Sequence, residues 1–159
     1  MPQATVSMIY CVQQATGTDA GVNEAIAGLP ELLLPGEFGG MPLQAIRALP
    51  GVIAAVDAAR ADPDDLYITT STGGGRDNAI WPSAGGVVQI QAGQSETPDV
   101  TVAFDHSQNL SLWDYDSVSD DDLLGSVTMF ASEQGQGEIA KLAKSPIENS
   151  YYYVVYRVD

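Results

Sequence analysis

Basic residues are scarce in this chain: 6 Lys and Arg stand against 21 Asp and Glu, for a net charge of −15 over 159 residues. The six are dispersed, at Arg47, Arg60, Arg76, Lys141, Lys144 and Arg157. No basic patch is available to meet a phosphate backbone, so nucleic acid is not an expected partner. Unaided attachment to an anionic membrane is disfavoured for the same reason. The only cysteine, Cys11, lies in an alternating apolar run. It excludes an internal disulfide and reads as a small buried hydrophobe, compatible with a reducing compartment. The single histidine, His106, excludes a Cys/His zinc set. Its neighbours Asp105 and Ser107 would point away from it along a strand, so no triad is read there. No uncharged apolar run reaches the roughly 18 residues of a membrane span. Met1 to Ser7 carry neither the basic nor the apolar part of a secretory signal. A cytoplasmic location is the default expectation.

What is present is β-rich. The length suits one domain over 1–159, and the 45% hydrophobic content is enough for a core without staples. Residues 5–12 alternate, with Val6, Met8, Tyr10 and Val12 on one face of a strand. Gly17, Thr18 and Asp19 break that pattern, and Asp19 is placed to cap a helix starting near Val22. Residues 22–60 change texture: Leu43, Ile46, Leu49, Ile53 and Val56 fall at helical spacing, and Pro30, Pro35, Pro42 and Pro50 cut the region into short pieces. Gly36, Gly39 and Gly40 mark a turn between two helical halves ending near Arg60. A helical insertion that caps a sheet is the expectation, with an exposed apolar tip at Leu32, Leu33, Leu34 and Phe38 as the alternative.

Short strands then follow: 66–71, 78–81, 87–91, 100–104, 109–114 and 126–131, with a helical turn at Glu138–Lys144 and a last strand at Tyr151–Val158 rich in aromatic and β-branched residues. Thr72-Gly73-Gly74-Gly75-Arg76 reads as a hairpin turn, since no Lys-Ser/Thr helix follows as in a phosphate loop. Asn109-Leu110-Ser111 spells a glycosylation sequon at a strand start. Trp81 and Trp113 read as packed, with Trp113 flanking the loop described next. About eight short strands at this spacing argue for a mostly β, antiparallel sandwich.

The chemistry lies in Leu112-Trp113-Asp114-Tyr115-Asp116-Ser117-Val118-Ser119-Asp120-Asp121-Asp122-Leu123-Leu124-Gly125. Five carboxylates fall within nine residues, from Asp114 to Asp122. Crowded into one loop they repel, and a bound hard dication offsets that repulsion. Calcium accepts such an irregular cage of oxygens, whereas magnesium demands stricter geometry. An EF-hand would need glycine at the sixth position and glutamate at the twelfth. Counted from Asp114 those positions hold Ser119 and Gly125, so this is not an EF-hand.

The aromatic-Asp-aromatic-Asp run Trp113-Asp114-Tyr115-Asp116, followed by Ser119, Asp122 and Gly125, resembles the third calcium-binding loop of C2 domains. Asp64-Asp65-Leu66-Tyr67-Ile68 is similar to the strand entry after their first loop. The resemblance implies a C2-like sandwich with Asp65, Asp114, Asp116 and Asp122 as calcium ligands. It also implies a nearby oxygen from Ser119 and assistance from Asp62 or Asp64. Leu123 and Leu124 would anchor the loop exit, and Gly125 would start the next strand. A helical region stands where the family has a short first loop, and no polybasic strand is present. The expected function is a calcium-dependent binding module for a protein, lipid or carbohydrate ligand. The alternative is a structural or assembly protein in which calcium only stabilises the fold. No acid–base constellation appears outside the loop, so no enzymatic activity is expected.

Overall fold

The structure is a computed structural model that describes residues 1–15, 20–38, 42–57 and 63–159. Its long opening strand, β1 (Gln3–Gln13), is followed by α1 (Ala20–Ala27), a two-residue strand β2 (Leu32–Leu33), α2 (Pro35–Phe38), α3 (Pro42–Arg47) and α4 (Pro50–Asp57). Then come β3 (Asp64–Thr69), β4 (Val88–Ile90), β5 (Ser95–Glu96), β6 (Val100–Ala103), β7 (Ser107–Asp114), β8 (Asp122–Phe130), β9 (Ile139–Ser145) and β10 (Ser150–Val158). Asp19, Gly39, Gly40, Arg60 and Asp62 lie outside the described residues.

Two antiparallel sheets form a sandwich. One runs β2-β9-β10-β1-β5, with β6 also pairing β1; the other runs β4-β3-β7-β8. Between them Val6, Ile9, Cys11, Leu66, Ile68, Leu110, Leu112, Leu124, Met129, Tyr152 and Val154 interdigitate. Full burial of each large side chain stabilises by about 2 kcal/mol. The helices cover the outer face of the first sheet. Ile26, Leu29, Ile46, Val52 and Ala55 pack there on Met8, Tyr10, Val12, Tyr153 and Val155.

Several expectations are corrected. The alternation in β1 does not run unbroken, because its register with β10 shifts between Val6 and Met8. The extra residue flips the faces. Ala4 and Val6 therefore join Ile9 and Cys11 between the sheets, while Met8, Tyr10 and Val12 turn to the helices. The apolar stripe over 43–56 is likewise interrupted. Pro50 opens a new helix and resets the phase, so Val52 and Ala55 are buried while Ile53 and Val56 are exposed. Glu138–Lys144 is not a helical turn. Ile139 and Ala143 fill the space between the sheets while Ala140 and Leu142 meet the helices, a residue-by-residue alternation of faces that belongs to a strand. Residues 78–81 form no strand of their own: Arg76–Asn78 is a 3-10 turn, and Trp81 makes a single bridge to Ile68. In the 32–34 segment, Leu33 is buried while Leu32 and Leu34 are exposed.

Gly125 does not begin β8 but sits within it, at φ 147°, and a Cβ there would lie 2.5 Å from the Lys144 nitrogen. The bare glycine lets the backbones of β8 and β9 touch where the two sheets converge. Beside that seam, Glu133 accepts hydrogen bonds from the Tyr156 hydroxyl and the Phe130 amide and pairs with Lys141. The Lys141 ammonium lies over the Phe130 ring and donates to the Thr128 carbonyl.

Candidate metal centre

The antiparallel pairing of β3 with β7 puts the start of one strand beside the end of the other: Leu66 is opposite Asp114. The β7–β8 hairpin closes with Asp114 opposite Asp122. Strand register therefore brings Asp114 and Asp122 side by side at one end of the sandwich, with Asp65 one residue out of register from Asp114 along β3. The Asp65 amide donates to Asp114 Oδ1 at 2.7 Å, and the Tyr115 amide donates to the Asp65 carbonyl at 2.9 Å. The Asp114 carboxyl is pushed up to about 6, first by burial and then by the negative charges of Asp65, Asp122 and Asp116, against the lowering effect of the Asp65 amide. The carboxylates of Asp65 and Asp122 accept no hydrogen bond from the described residues. Glu148, in the β9–β10 turn, is raised by burial and by the Asp122 charge, which locates that turn at the same end.

Asp116 and Ser119 are arranged differently. The Asp116 carboxylate folds back on its own loop and accepts from the Val118 amide (2.8 Å), the Ser119 amide (3.3 Å) and the Ser119 hydroxyl (2.8 Å). Those bonds hold its carboxyl below the usual range, the Val118 amide foremost. No three of the Asp, Glu, His and Cys side chains converge to grip an ion among the described residues. The donor chemistry nonetheless suits a hard cation. It is all oxygen, and Asp65, Asp122 and the second oxygen of Asp114 keep lone pairs uncommitted.

Asp64 is corrected as a helper. It is 1% exposed and accepts from the Ala15 amide and the Tyr152 hydroxyl, which makes it a structural acceptor in the core. Leu124 anchors the loop exit as expected, but Leu123 is 39% exposed.

Sequence reasoning missed Asp121. Its Oδ1 accepts from the Asp116 amide at 3.0 Å and its Oδ2 from the Tyr67 hydroxyl at 2.5 Å. Tyr67 in turn accepts from the Gly75 amide at 2.7 Å, and its hydroxyl is pushed up to about 12 by burial and by the Asp121 hydrogen bond. The Tyr67 ring stacks on Trp113 with centroids 6.5 Å apart, and the Trp113 indole donates to Thr69. Arg76 lies 3.7 Å over the ring of Tyr115. Between the acidic loop and the 72–76 turn lies a cleft of about 410 Å³ lined by Gly74, Gly75, Trp113, Ser119, Asp120 and Asp121. The one available signal for Asp121 was its adjacency to Asp122, and adjacency does not show which of two neighbours turns inward.

Neither a protein-family model nor a curated protein sequence matches the chain. A search of solved structures finds human GIVD cytosolic phospholipase A2 in complex with methyl gamma-linolenyl fluorophosphonate. The match has 12% identity and a TM-score of 0.38, and it covers 99% of this chain and 17% of that one. At that score the fold rests on the two sheets described above and not on the likeness. No helix among the described residues is long and apolar enough to cross a membrane.

Proposed function

We propose that the chain is a C2-like, calcium-dependent binding module, without catalytic activity of its own, that docks on a lipid surface. The observation that carries this reading is the crowding of Asp114 by Asp65, Asp116 and Asp122 at the end of the sandwich that leaves Val118 92% and Ile147 86% exposed. On this reading Asp65, Asp114 and Asp122, which do not converge without the ion, would be drawn together by it, and Asp116 and Ser119 would join on releasing each other. Bound calcium supplies positive charge that offsets the carboxylates. The chain then does the rest. Val118, at the loop tip, and Ile147, in the β9–β10 turn, offer apolar contact to an interface. Without the ion, the acidic loop is repelled by anionic headgroups.

A second reading, calcium as a stabiliser alone, is favoured by the closed Asp116–Ser119 pairing, which already orders the loop. Sedimentation with vesicles of mixed zwitterionic and anionic lipid, with calcium and then with chelator, separates the two. Calcium-dependent co-sedimentation that is lost in Val118→Asp/Ile147→Asp supports the membrane module. A calcium-induced rise in Tm with no sedimentation supports the stabiliser, and leaves a protein or glycan as the ligand to test next.

A further inference from the structure

Tyr10, Tyr67, Tyr152, Tyr153 and Tyr156 are fully buried. A buried hydroxyl without an acceptor is costly, and all but one of these have one. Tyr67 donates to Asp121, Tyr152 to Asp64, Tyr153 to the Pro30 carbonyl and Tyr156 to Glu133. Tyr10 donates to no acceptor among the described residues. Its polar neighbour is Arg47, at the end of α3, whose guanidinium lies 5.9 Å from the Tyr10 ring centre. Burial raises the Tyr10 hydroxyl and Arg47 draws it back. A guanidinium offers donors only, so it cannot accept from the hydroxyl. Arg47 itself is without a carboxylate. Among the described residues Lys141 pairs with Glu133, Lys144 with Glu31 and Arg157 with Asp159, and Arg76 donates to the Gly85 carbonyl. Arg47 has no such partner, in a chain whose net charge is −15.

These two donors meet at a cavity of about 300 Å³ lined by Tyr10, Arg47, Ile53, Val56 and Gly93. Its walls are apolar. Ile53 and Val56, on α4, are 49% and 39% exposed. The facing wall is the 92–94 turn, which is pinned to β1 beside Tyr10: the Gly93 amide donates to the Cys11 carbonyl and the Cys11 amide to the Gln94 carbonyl, both at 2.9 Å. Apolar walls with a few convergent polar groups are the usual make-up of a small-molecule pocket, and this volume is at the small end of their range. We propose that the cavity binds a small aliphatic monocarboxylate. The carboxylate accepts from the Tyr10 hydroxyl and from Arg47, and the aliphatic chain lies along Ile53 and Val56. Tyr10 is closed to solvent while Arg47 is exposed, so entry is a swing of the Arg47 side chain toward the ligand. The chain's net negative charge does not forbid an anion here, because salt screens distant acids beyond about 8 Å and leaves the adjacent cation to decide. The site uses no residue of the acidic loop and is independent of the calcium reading.

The test is NMR of the full chain in chelator, following the Ile53 and Val56 methyl groups during titration with octanoate, with octan-1-ol and acetate as controls. Octanoate shifts both residues saturably. Octan-1-ol, which keeps the chain without the charge, binds at least about tenfold more weakly, and acetate, which lacks the chain, produces no saturable shift. Tyr10→Phe and Arg47→Gln each raise the octanoate dissociation constant about tenfold, the loss of one hydrogen bond to a charged group. Neither lowers Tm, since each removes a donor that no acceptor in the fold holds. A Tyr10→Phe chain that melts earlier has lost a hydroxyl already satisfied within the fold, and overturns the proposal. Octan-1-ol binding as tightly as octanoate, or octanoate binding both variants as it binds the unmodified chain, marks an ordinary apolar surface and overturns the carboxylate site. The absence of any saturable octanoate shift overturns it outright. With calcium removed throughout, none of these outcomes bears on the acidic loop.

Discussion

Asp114→Asn should make the calcium-free protein more stable at neutral pH. The Asp114 carboxyl moves from 3.8 to about 6 on folding. Two pKa units correspond to about 3 kcal/mol of preference for the neutral form in the fold. Asp114 is partly exposed, and solvent screening reduces this to about 1–2 kcal/mol. Asparagine keeps the Oδ1 that accepts from the Asp65 amide and removes the charge that Asp65, Asp116 and Asp122 repel. Some hydrogen-bond strength goes with the charge, leaving a net gain of about 1 kcal/mol. In a chain of this length that is a rise of about 3 °C in Tm.

The pH dependence has a definite sign. A carboxyl whose folded pKa lies above its unfolded one makes the folded state take up a proton. Its contribution is fully present below about 4 and is lost as pH rises through about 6. In chelator, thermal unfolding of the unmodified chain should therefore show a fall in stability across that window, and Asp114→Asn should lack this part of it. On the proposed metal reading, calcium should reverse the ranking: at one hundred times its dissociation constant it would stabilise the unmodified chain by about 2.7 kcal/mol, and the variant, lacking the proposed Asp114 carboxylate ligand, should gain much less. An Asn variant less stable than the unmodified chain in chelator at pH 7 would refute the crowding. An equal calcium shift in both would remove Asp114 from the ligand set.

Gly125→Ala forces a Cβ to 2.5 Å from the Lys144 nitrogen at a positive φ, and should cost about 3 kcal/mol by urea unfolding. Glu133→Gln leaves Lys141 without its carboxylate and weakens the bonds from Tyr156 and Phe130. The two side chains are only 12% and 16% exposed, so a loss of about 2 kcal/mol is expected in the same assay, with calcium affinity unchanged. Asp116→Asn should lower the calcium-induced rise in Tm. It should also loosen the loop in the calcium-free protein, visible as faster hydrogen exchange at the Val118 and Ser119 amides, which its carboxylate holds.

The sandwich was legible because most of its strands carry the period-2 signal in their own residues. β7, β8 and β10 bury alternate or continuous apolar side chains, as their composition demands. The misreadings share a cause: local pattern was read where a tertiary partner decides. Nothing within residues 3–13 announces a bulge, which is a property of pairing with β10. Nothing within 138–144 tells a helix from a strand that is covered on both faces. The helices were legible as pieces because proline cut them, but their buried faces were not, since each cut restarts the helical phase.

The acidic loop separates pattern from geometry further. The C2 resemblance singled out Asp114 and Asp122, and both stand at the ends of paired strands whose register is fixed by the core. It ranked Asp116 with them, although this side chain lies on the loop itself, where the nearest amides compete for it. It passed over Asp121, whose role depends on Tyr67, 54 residues earlier. The placement of carboxylates on strand ends can be read from sequence, because register is inherited from the core. Loop carboxylates cannot, because each chooses between an ion, its own backbone and a distant hydroxyl, and these alternatives differ by only about 1–2 kcal/mol.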